Sequence, residues 1–370
     1  MFYNDFGGVM EREILHVDVN NAFLSWTAVE RLKNGDNLDI RKIPSAICGD
    51  ENKRSGIILA KSPLAKSVGV VTGETIYQAM KKCPNLALFK PDFSKYREYS
   101  NSLYKLLSEY TYKIERFSID ECFLDMTGFL MNETLLQKAI EINKRVKEEL
   151  SFTVNIGVSC NKLLTKMASD FTKPDQVHTL WKTEIQTKMW PLPVRDLLFL
   201  GKASEKKLTE AGIHTIGDMA HARETEIQTL LGNKAGHQLW QYARGIDDSP
   251  VRAQPEEAKG FSVETTFNDD IISVEQVLPI LLEQCDVVAT RMRRKEKKCT
   301  SVSVTFRTLD FRNRSHQTTL PNATDMTDEI YKNAKKLFIE SWKGEPLRLI
   351  GVSLTNLTDE SFEQMSLFED

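Results

Sequence analysis

No stretch of this 370-residue chain is apolar over enough residues to cross a bilayer. Its first residues lack the basic-then-apolar pattern of a signal peptide, so the expectation is a cytoplasmic protein. Histidine is scarce, at six. The six cysteines (Cys48, Cys83, Cys122, Cys160, Cys285 and Cys299) are scattered without metal-ligand spacing. They fit reduced thiols rather than a disulfide framework. Charge of either sign is also missing as a bulk property, since 49 Lys and Arg against 52 Asp and Glu leave a net charge of −3. A polyanionic partner would therefore have to meet local basic surfaces.

A hydrophobic fraction of 41% and a charged fraction of 27% are those of a soluble globular protein, and the length calls for several domains. The informative stretch is Phe117-Ser118-Ile119-Asp120-Glu121-Cys122-Phe123-Leu124-Asp125. Apolar residues flank two adjacent acids, and the alternation predicts a β-hairpin with the acids at its tip. Neighbours on a regular strand point to opposite faces, but at a turn two acids can converge. An isolated Asp-Glu pair is ordinarily a solvated turn. A second stretch, Ile14-Leu15-His16-Val17-Asp18-Val19-Asn20, reverses that preference. It reads as a buried strand with an acid at its exit. If the two lie side by side, Asp18, Asp120 and Glu121 meet at one sheet edge. Three carboxylates without a Cys or His cluster suit a hard divalent ion such as Mg²⁺. Paired ions of that kind serve phosphoryl and nucleotidyl transfer.

Asp18-Val19-Asn20, then Phe23, then Ser118-Ile119-Asp120-Glu121 resemble the catalytic motifs of Y-family DNA polymerases of the DinB/UmuC type. These are the translesion enzymes that include bacterial DNA polymerases IV and V. The resemblance runs from about Glu13 to the C-terminus. It implies an α+β multidomain right hand with a ferredoxin-like palm, small fingers, a helical thumb with a helix-hairpin-helix-like motif, and an α/β little finger. The implied divisions are a tail (1–12), palm (13–22 and 92–178), fingers (23–91), thumb (179–246), linker (247–258), little finger (259–357) and a C-terminal tail (358–370).

The resemblance also implies roles. Asp18, Asp120, Glu121 and the Val19 carbonyl would hold two Mg²⁺, with Mn²⁺ as a substitute. Asn20, Asn21, Ala22, Phe23, Lys66 and Lys166 would line the nucleotide site. Phe23 would be a steric gate against the ribose 2′-hydroxyl. Pro63 and Lys66 stand where relatives carry Tyr and Arg, so the bidentate phosphate fork is lost at Lys66. The plain alternative for Lys66 is a solvated charge. Lys162 and Lys166, four apart, are expected on one helix face. Val194 to Leu208 resembles a helix-hairpin-helix, with Gly201 and Lys202 at its turn offering N–H groups to a DNA phosphate; a structural helix pair is the competing reading. Arg291, Arg293, Arg294, Arg307, Arg312 and Arg314 make the last domain locally basic, either as a solvated face or as a track for DNA. Gln364, Leu367 and Phe368 resemble a Gln-x-x-Leu-Phe sliding-clamp peptide.

The expected activity is template-directed DNA synthesis in lesion bypass, damage tolerance and the SOS response. The expected partners are primer-template DNA, deoxynucleoside triphosphates and the clamp, for a monomeric, nucleoid-associated enzyme. Two rivals are a nucleotidyl cyclase on a similar palm and a non-catalytic clamp-associated DNA-binding protein. The first leaves the basic C-terminal domain unexplained, and the second leaves the three acids unexplained.

Overall fold

A computed structural model of the chain describes residues 11–50, 56–254 and 256–359. It divides into two units, Met1–Cys48 with Ile58–Pro255, and Gly49–Ile57 with Glu256–Asp370. No helix among the described residues is long and apolar enough to cross a membrane.

The first unit opens on β1 (Ile14–Val19), buried along its whole length. Asn21 then takes a left-handed conformation (φ 51°), which Asn tolerates better than most residues, and turns the chain into α1 (Ala22–Lys33). A small three-stranded sheet follows from β2 (Ser45–Cys48), β3 (Ile58–Lys61) and β4 (Ala87–Phe89), ordered β3-β2-β4. It carries α2 (Pro63–Ser67) and α3 (Ile76–Lys82), the latter opened by a reciprocal Thr75–Gln78 cap.

Apolar residues at helical spacing (Tyr96, Tyr99, Leu103, Leu106, Leu107) form the buried face of α4 (Phe93–Leu107). It starts where the Asp92 side chain accepts from the N–H groups of Ser94 and Lys95. Next come β5 (Ile114–Arg116) and β6 (Glu121–Asp125), the expected hairpin, with Asp120 in its turn and Glu121 the first residue of β6. The amphipathic helix α5 (Leu135–Arg145) is extended by a π-helical turn to Leu150. After β7 (Val154–Ser159) and α6 (Lys162–Ser169) comes a short strand the sequence did not suggest, β8 (Val177–Thr179).

The resulting five-stranded sheet runs β5-β6-β1-β7-β8, with β1 antiparallel to both neighbours. The two-residue period of a strand decides what β1 does. Leu15, Val17 and Val19 enter a core with Trp26, Tyr96, Leu103 and Ile142. Ile14, His16 and Asp18 face the other way, toward α6. On β7, Gly157 faces α6 as well. A Cβ there would lie 1.8 Å from the Thr165 carbonyl oxygen, so only glycine lets the helix backbone come this close.

The helical part of this unit holds α7 (Lys202–Glu210), α8 (Ile216–His221), α9 (Glu224–Leu231) and α10 (Asn233–Ala243) around Leu208, Ile216, Met219, Ile227 and Ala243. The first helix of the expected hairpin pair is only a 3-10 turn, Val194–Asp196. The left-handed residue of its turn is Phe199 (φ 65°), while Gly201 has φ −85° and precedes α7 as its N-cap. Beyond α10, the polar segment expected to be a linker begins tied down. Asp247 accepts from the Leu163 N–H at the start of α6 (3.0 Å), and Arg12 donates to the carbonyls of Asp247 and Ser249 (2.8 Å each). The Arg252 N–H donates to Glu115 (2.8 Å).

The second unit is a four-stranded antiparallel sheet under two helices. Its elements are β9 (Gly260–Ile271), α11 (Val274–Arg293), β10 (Lys298–Thr308), β11 (Asn313–Thr324), α12 (Thr327–Ser341) and β12 (Leu347–Thr358), with the sheet ordered β11-β10-β12-β9. Val302, Val304 and Phe306 of β10 pack under the helices with Leu281, Val288 and Phe338. Strand β11 has a weak sequence signal. It is a polar edge strand with Pro321 inside it, a residue that a sheet accepts at an edge. All six cysteines are buried: Cys48 and Cys83 beside the three-stranded sheet, Cys122 in the core of the five-stranded sheet, Cys160 in the core α6 shares with α7–α10, and Cys285 and Cys299 in the second unit.

Candidate active site

Strand register brings two of the expected acids together. Asp18 on β1 and Glu121 on β6 are directly opposed, and Asn155 on β7 opposes Asp18 from the other side. All three lie on the α6 face. Lys166, projecting from α6, puts its ammonium 2.8 Å from Glu121 Oε1 and 3.8 Å from Asp18 Oδ2. Lys173, just past α6, lies 2.6 Å from Asp18 Oδ2 and 2.8 Å from Asp170. Two ammonium groups therefore already sit among these carboxylates. Asp120 accepts from the Ser118 hydroxyl at 2.5 Å. Among the described residues no three acidic, histidine or cysteine side chains converge as a metal cluster.

These charges are unequal in character. Burial pushes the Asp18 carboxyl up from the ordinary range, and Lys173 and Lys166 only partly offset it. Burial also acts to raise Glu121, but His16 and Lys166 beside it outweigh this and pull it down to about 2. Burial lowers His16, keeping a neutral ring favoured. Burial acts against the Lys166 charge as well, yet Glu121, Asp170 and Asp18 together raise it above the usual lysine value. The donor set is hard oxygen only, on a face where cations are already accommodated. That is the donor chemistry of a hard divalent ion such as Mg²⁺ or Mn²⁺.

A cleft of about 330 Å³ opens on these groups. Asp18, Val19, Asn20, Asn21, Ala22, Phe23, Asp120, Glu121 and Lys166 all line it, as do Leu59, Ala60, Asp170 and Lys173. Asn20 is held by Asn155 and by the Asp175 N–H, and Asn21 donates to the Lys61 carbonyl of β3. Phe23 lines the cleft while its ring stacks on Tyr96 (4.6 Å, 10°) and meets Phe93 in a T-shaped contact. Its wall and core roles coexist. Lys66 is exposed on α2 and does not line the cleft. Lys162 shares the Lys166 side of α6 but pairs with Glu115 instead (2.7 Å). Lys173, Asp170 and His16 were passed over as site residues in the sequence. His16 had a usable signal, its position two residues before Asp18 on the same strand face.

In the second unit the basic residues disperse. Arg291 donates to the Ser262 carbonyl, Arg293 to the Asp325 carbonyl and Arg307 to Asn313. Arg312 pairs with Asp310, and Arg314, on the helix side of the sheet, pairs with Glu345. Arg294 is exposed at the end of α11. A feature the sequence reading missed is the sheet face away from the helices. Cross-strand rows there read Ser262-Ser353-Ser303-Gln317, Glu264-Gly351-Thr305-Ser315 and Thr266-Leu349-Arg307-Asn313. Gln364, Leu367 and Phe368 lie outside the described residues.

Residues 17–170 match the impB/mucB/samB family, and residues 258–367 match that family's C-terminal domain. The chain is 48% identical to DNA polymerase IV of Clostridium acetobutylicum over 361 residues, which span 98% of this chain and 91% of that protein. The chain belongs to the Y family of DNA polymerases. Further relatives of this polymerase are DNA polymerase IV of Alkaliphilus oremlandii (37% identical, 97% and 89% covered) and DNA polymerase IV 1 of Bacillus subtilis (34%, 96% and 85%). Residues 195–247 match the thumb domain of DNA polymerase-iota. A solved Dbh–Dpo4 Y-family chimera shares the fold, with a TM-score of 0.80 at 23% identity over 93% of this chain and 99% of its own. As a Y-family polymerase the chain is a DNA-directed DNA polymerase, with the palm, fingers, thumb and little finger expected of it.

Proposed function

We propose that this polymerase adds deoxynucleotides to a primer 3′ end at the Asp18–Glu121 face, and does so in translesion synthesis. The observation that carries the reading is the register pairing of Asp18 with Glu121 around the Lys166 ammonium. Asp18, Asp120, Glu121 and the Val19 carbonyl are the groups that would hold Mg²⁺. When bound, the metal lowers the pKa of the primer hydroxyl and offsets charge on the triphosphate. Lys166 exchanges its carboxylate partners for triphosphate oxygens, acting as a point charge. The Phe23 ring occupies the space a ribose 2′-hydroxyl needs, and its stack on Tyr96 keeps it from yielding.

Primer-template DNA is read as lying against the hydroxyl-rich face of the second unit. Small polar side chains there admit a phosphate backbone, with Arg307 on that face and Arg312 in the β10–β11 turn, while Arg291, Arg293 and Arg294 on α11 and Arg314 on the helix side would add positive charge to the same domain. The N–H groups after Gly201, together with Lys202, take a backbone phosphate without reading sequence. Gln364, Leu367 and Phe368 engage the sliding clamp. The enzyme acts as a monomer on the cytoplasmic nucleoid. Primer extension tests the core of this reading: Asp120→Asn and Glu121→Ala should each abolish extension, and full activity in either discards the metal-ligand assignment.

A further inference from the structure

His16 is wholly buried, and it is the only buried one of the six histidines. Most of its surroundings are accounted for. Its ring lies 4.5 Å from that of Phe123, and Nδ1 is 2.8 Å from Ser169 Oγ on α6. Nε2 is not accounted for. It has no hydrogen-bond partner, and it points at Glu121, whose Oε2 is 3.6 Å away. Buried polar atoms seldom stay unpaired, because the desolvation penalty is then uncompensated. The other Glu121 oxygen is already taken by Lys166.

We propose that His16 is a positioning residue for Glu121: its Nε2–H donates to Glu121 Oε2 and fixes the carboxylate in the orientation that receives a divalent cation. This rests on the reading of Glu121 as a metal ligand. Proton bookkeeping supports the direction. Ser169 has one hydroxyl proton and two acceptors within 2.8 Å, the Lys166 carbonyl and His16 Nδ1. When the proton goes to Nδ1, the ring's own proton sits on Nε2 and faces the carboxylate. The opposite arrangement sets a bare nitrogen lone pair against an anion, and two acceptors repel. Closing 3.6 Å to hydrogen-bond length needs a movement of about 0.7 Å, within reach of a small rotation of Glu121. Ser169, His16 and Glu121 then form a chain from α6 through β1 to β6, so the helix that carries Lys166 and the strand that carries Glu121 are set by one imidazole. Such partners behind a ligating carboxylate typically govern metal affinity by about 10–100-fold.

The test is Mn²⁺ binding to the full-length protein without substrates, followed by electron paramagnetic resonance, in His16→Gln, His16→Asn and His16→Leu beside wild type and Glu121→Ala. Glutamine places an amide N–H near the Nε2 position, whereas asparagine places one near Nδ1. His16→Gln should keep affinity within about threefold, and His16→Asn and His16→Leu should lose about tenfold or more. If Glu121→Ala loses affinity but His16→Leu does not, or if asparagine matches glutamine, the role of His16 is overturned and the metal reading stands. If Glu121→Ala binds like wild type, both fall. Should the His16 variants fail to fold, wild-type protein decides through its ¹⁵N-histidine spectrum. A proton on Nε2 of the buried ring, shifting on addition of Mg²⁺, supports the proposal, and an unprotonated Nε2 overturns it.

Discussion

Asp18 and Glu121 face each other across antiparallel strands with the Lys166 ammonium between them, yet burial leaves the Asp18 carboxyl raised while His16 and Lys166 overcome burial and hold Glu121 at about 2. The two acids should therefore answer neutralisation with opposite signs. Glu121 has its folded value depressed from 4.5, so it contributes stability that is full above about 4.5 and disappears as pH falls toward 2. Glu121→Gln should lower stability near neutral pH by up to ~3 kcal/mol and converge with wild type in strong acid. Asp18 has its folded value raised, so its ionised form subtracts stability at neutral pH. Asp18→Asn should hold or raise the Tm while abolishing extension. Thermal unfolding across pH reads both, and a matching loss in the two variants would contradict the assignment.

Phe23 is backed by Tyr96 and Phe93, so the ring cannot retreat from a larger sugar. Phe23→Ala should raise ribonucleotide incorporation relative to deoxyribonucleotide by on the order of 100-fold. Single-nucleotide extension with matched rNTP and dNTP measures this, and unchanged sugar selection would remove the gate.

Lys166 lines the cleft and Lys66 does not. Lys166→Ala should raise the KM for dNTP by about tenfold or more, the loss of a charge-assisted contact, whereas Lys66→Ala should stay within about threefold. Equal effects would mean that α2 moves in to grip the triphosphate.

Gly157→Ala adds a methyl group where the Thr165 carbonyl and the Ser169 nitrogen already stand, at 1.8 and 2.8 Å from the added carbon. Either α6 shifts outward or the fold loses roughly 3 kcal/mol. Denaturant unfolding together with extension kinetics should show both weakened; a variant with wild-type stability and activity would mean that the helix can move without consequence.

Deleting Gln364 to Phe368 should leave basal extension intact and remove its stimulation by a sliding clamp. Pull-down of the clamp by the truncated chain as efficient as by the full chain would end that role.

The sheet strands that carry the acids were legible because their pattern is local. Alternation in Leu15-His16-Val17-Asp18 and apolar flanks around Asp120-Glu121 need no tertiary information. What escaped depends on distance in the chain. Lys173 reaches Asp18 across 155 positions, and no periodicity announces that. Strand β11 escaped because an exposed edge with Arg314, His316 and Pro321 has neither an apolar face nor a Pro-free run. In the thumb's hairpin the residue that turns the chain was not legible, because glycine is the usual sign of a left-handed turn and here Phe199 supplies it. The basic run was visible as composition, but its splitting between internal partners and an open face was not.

The burial of every thiol has a practical reach. Cys48 and Cys83 report from the core beside the three-stranded sheet, Cys122 from the core of the five-stranded sheet, Cys160 from the core that α6 shares with α7–α10, and Cys285 and Cys299 from the second unit. Alkylating reagents should leave the native protein unlabelled, so a brief pulse during unfolding, mapped by mass spectrometry, would time the opening of each part against the others without engineering a single probe.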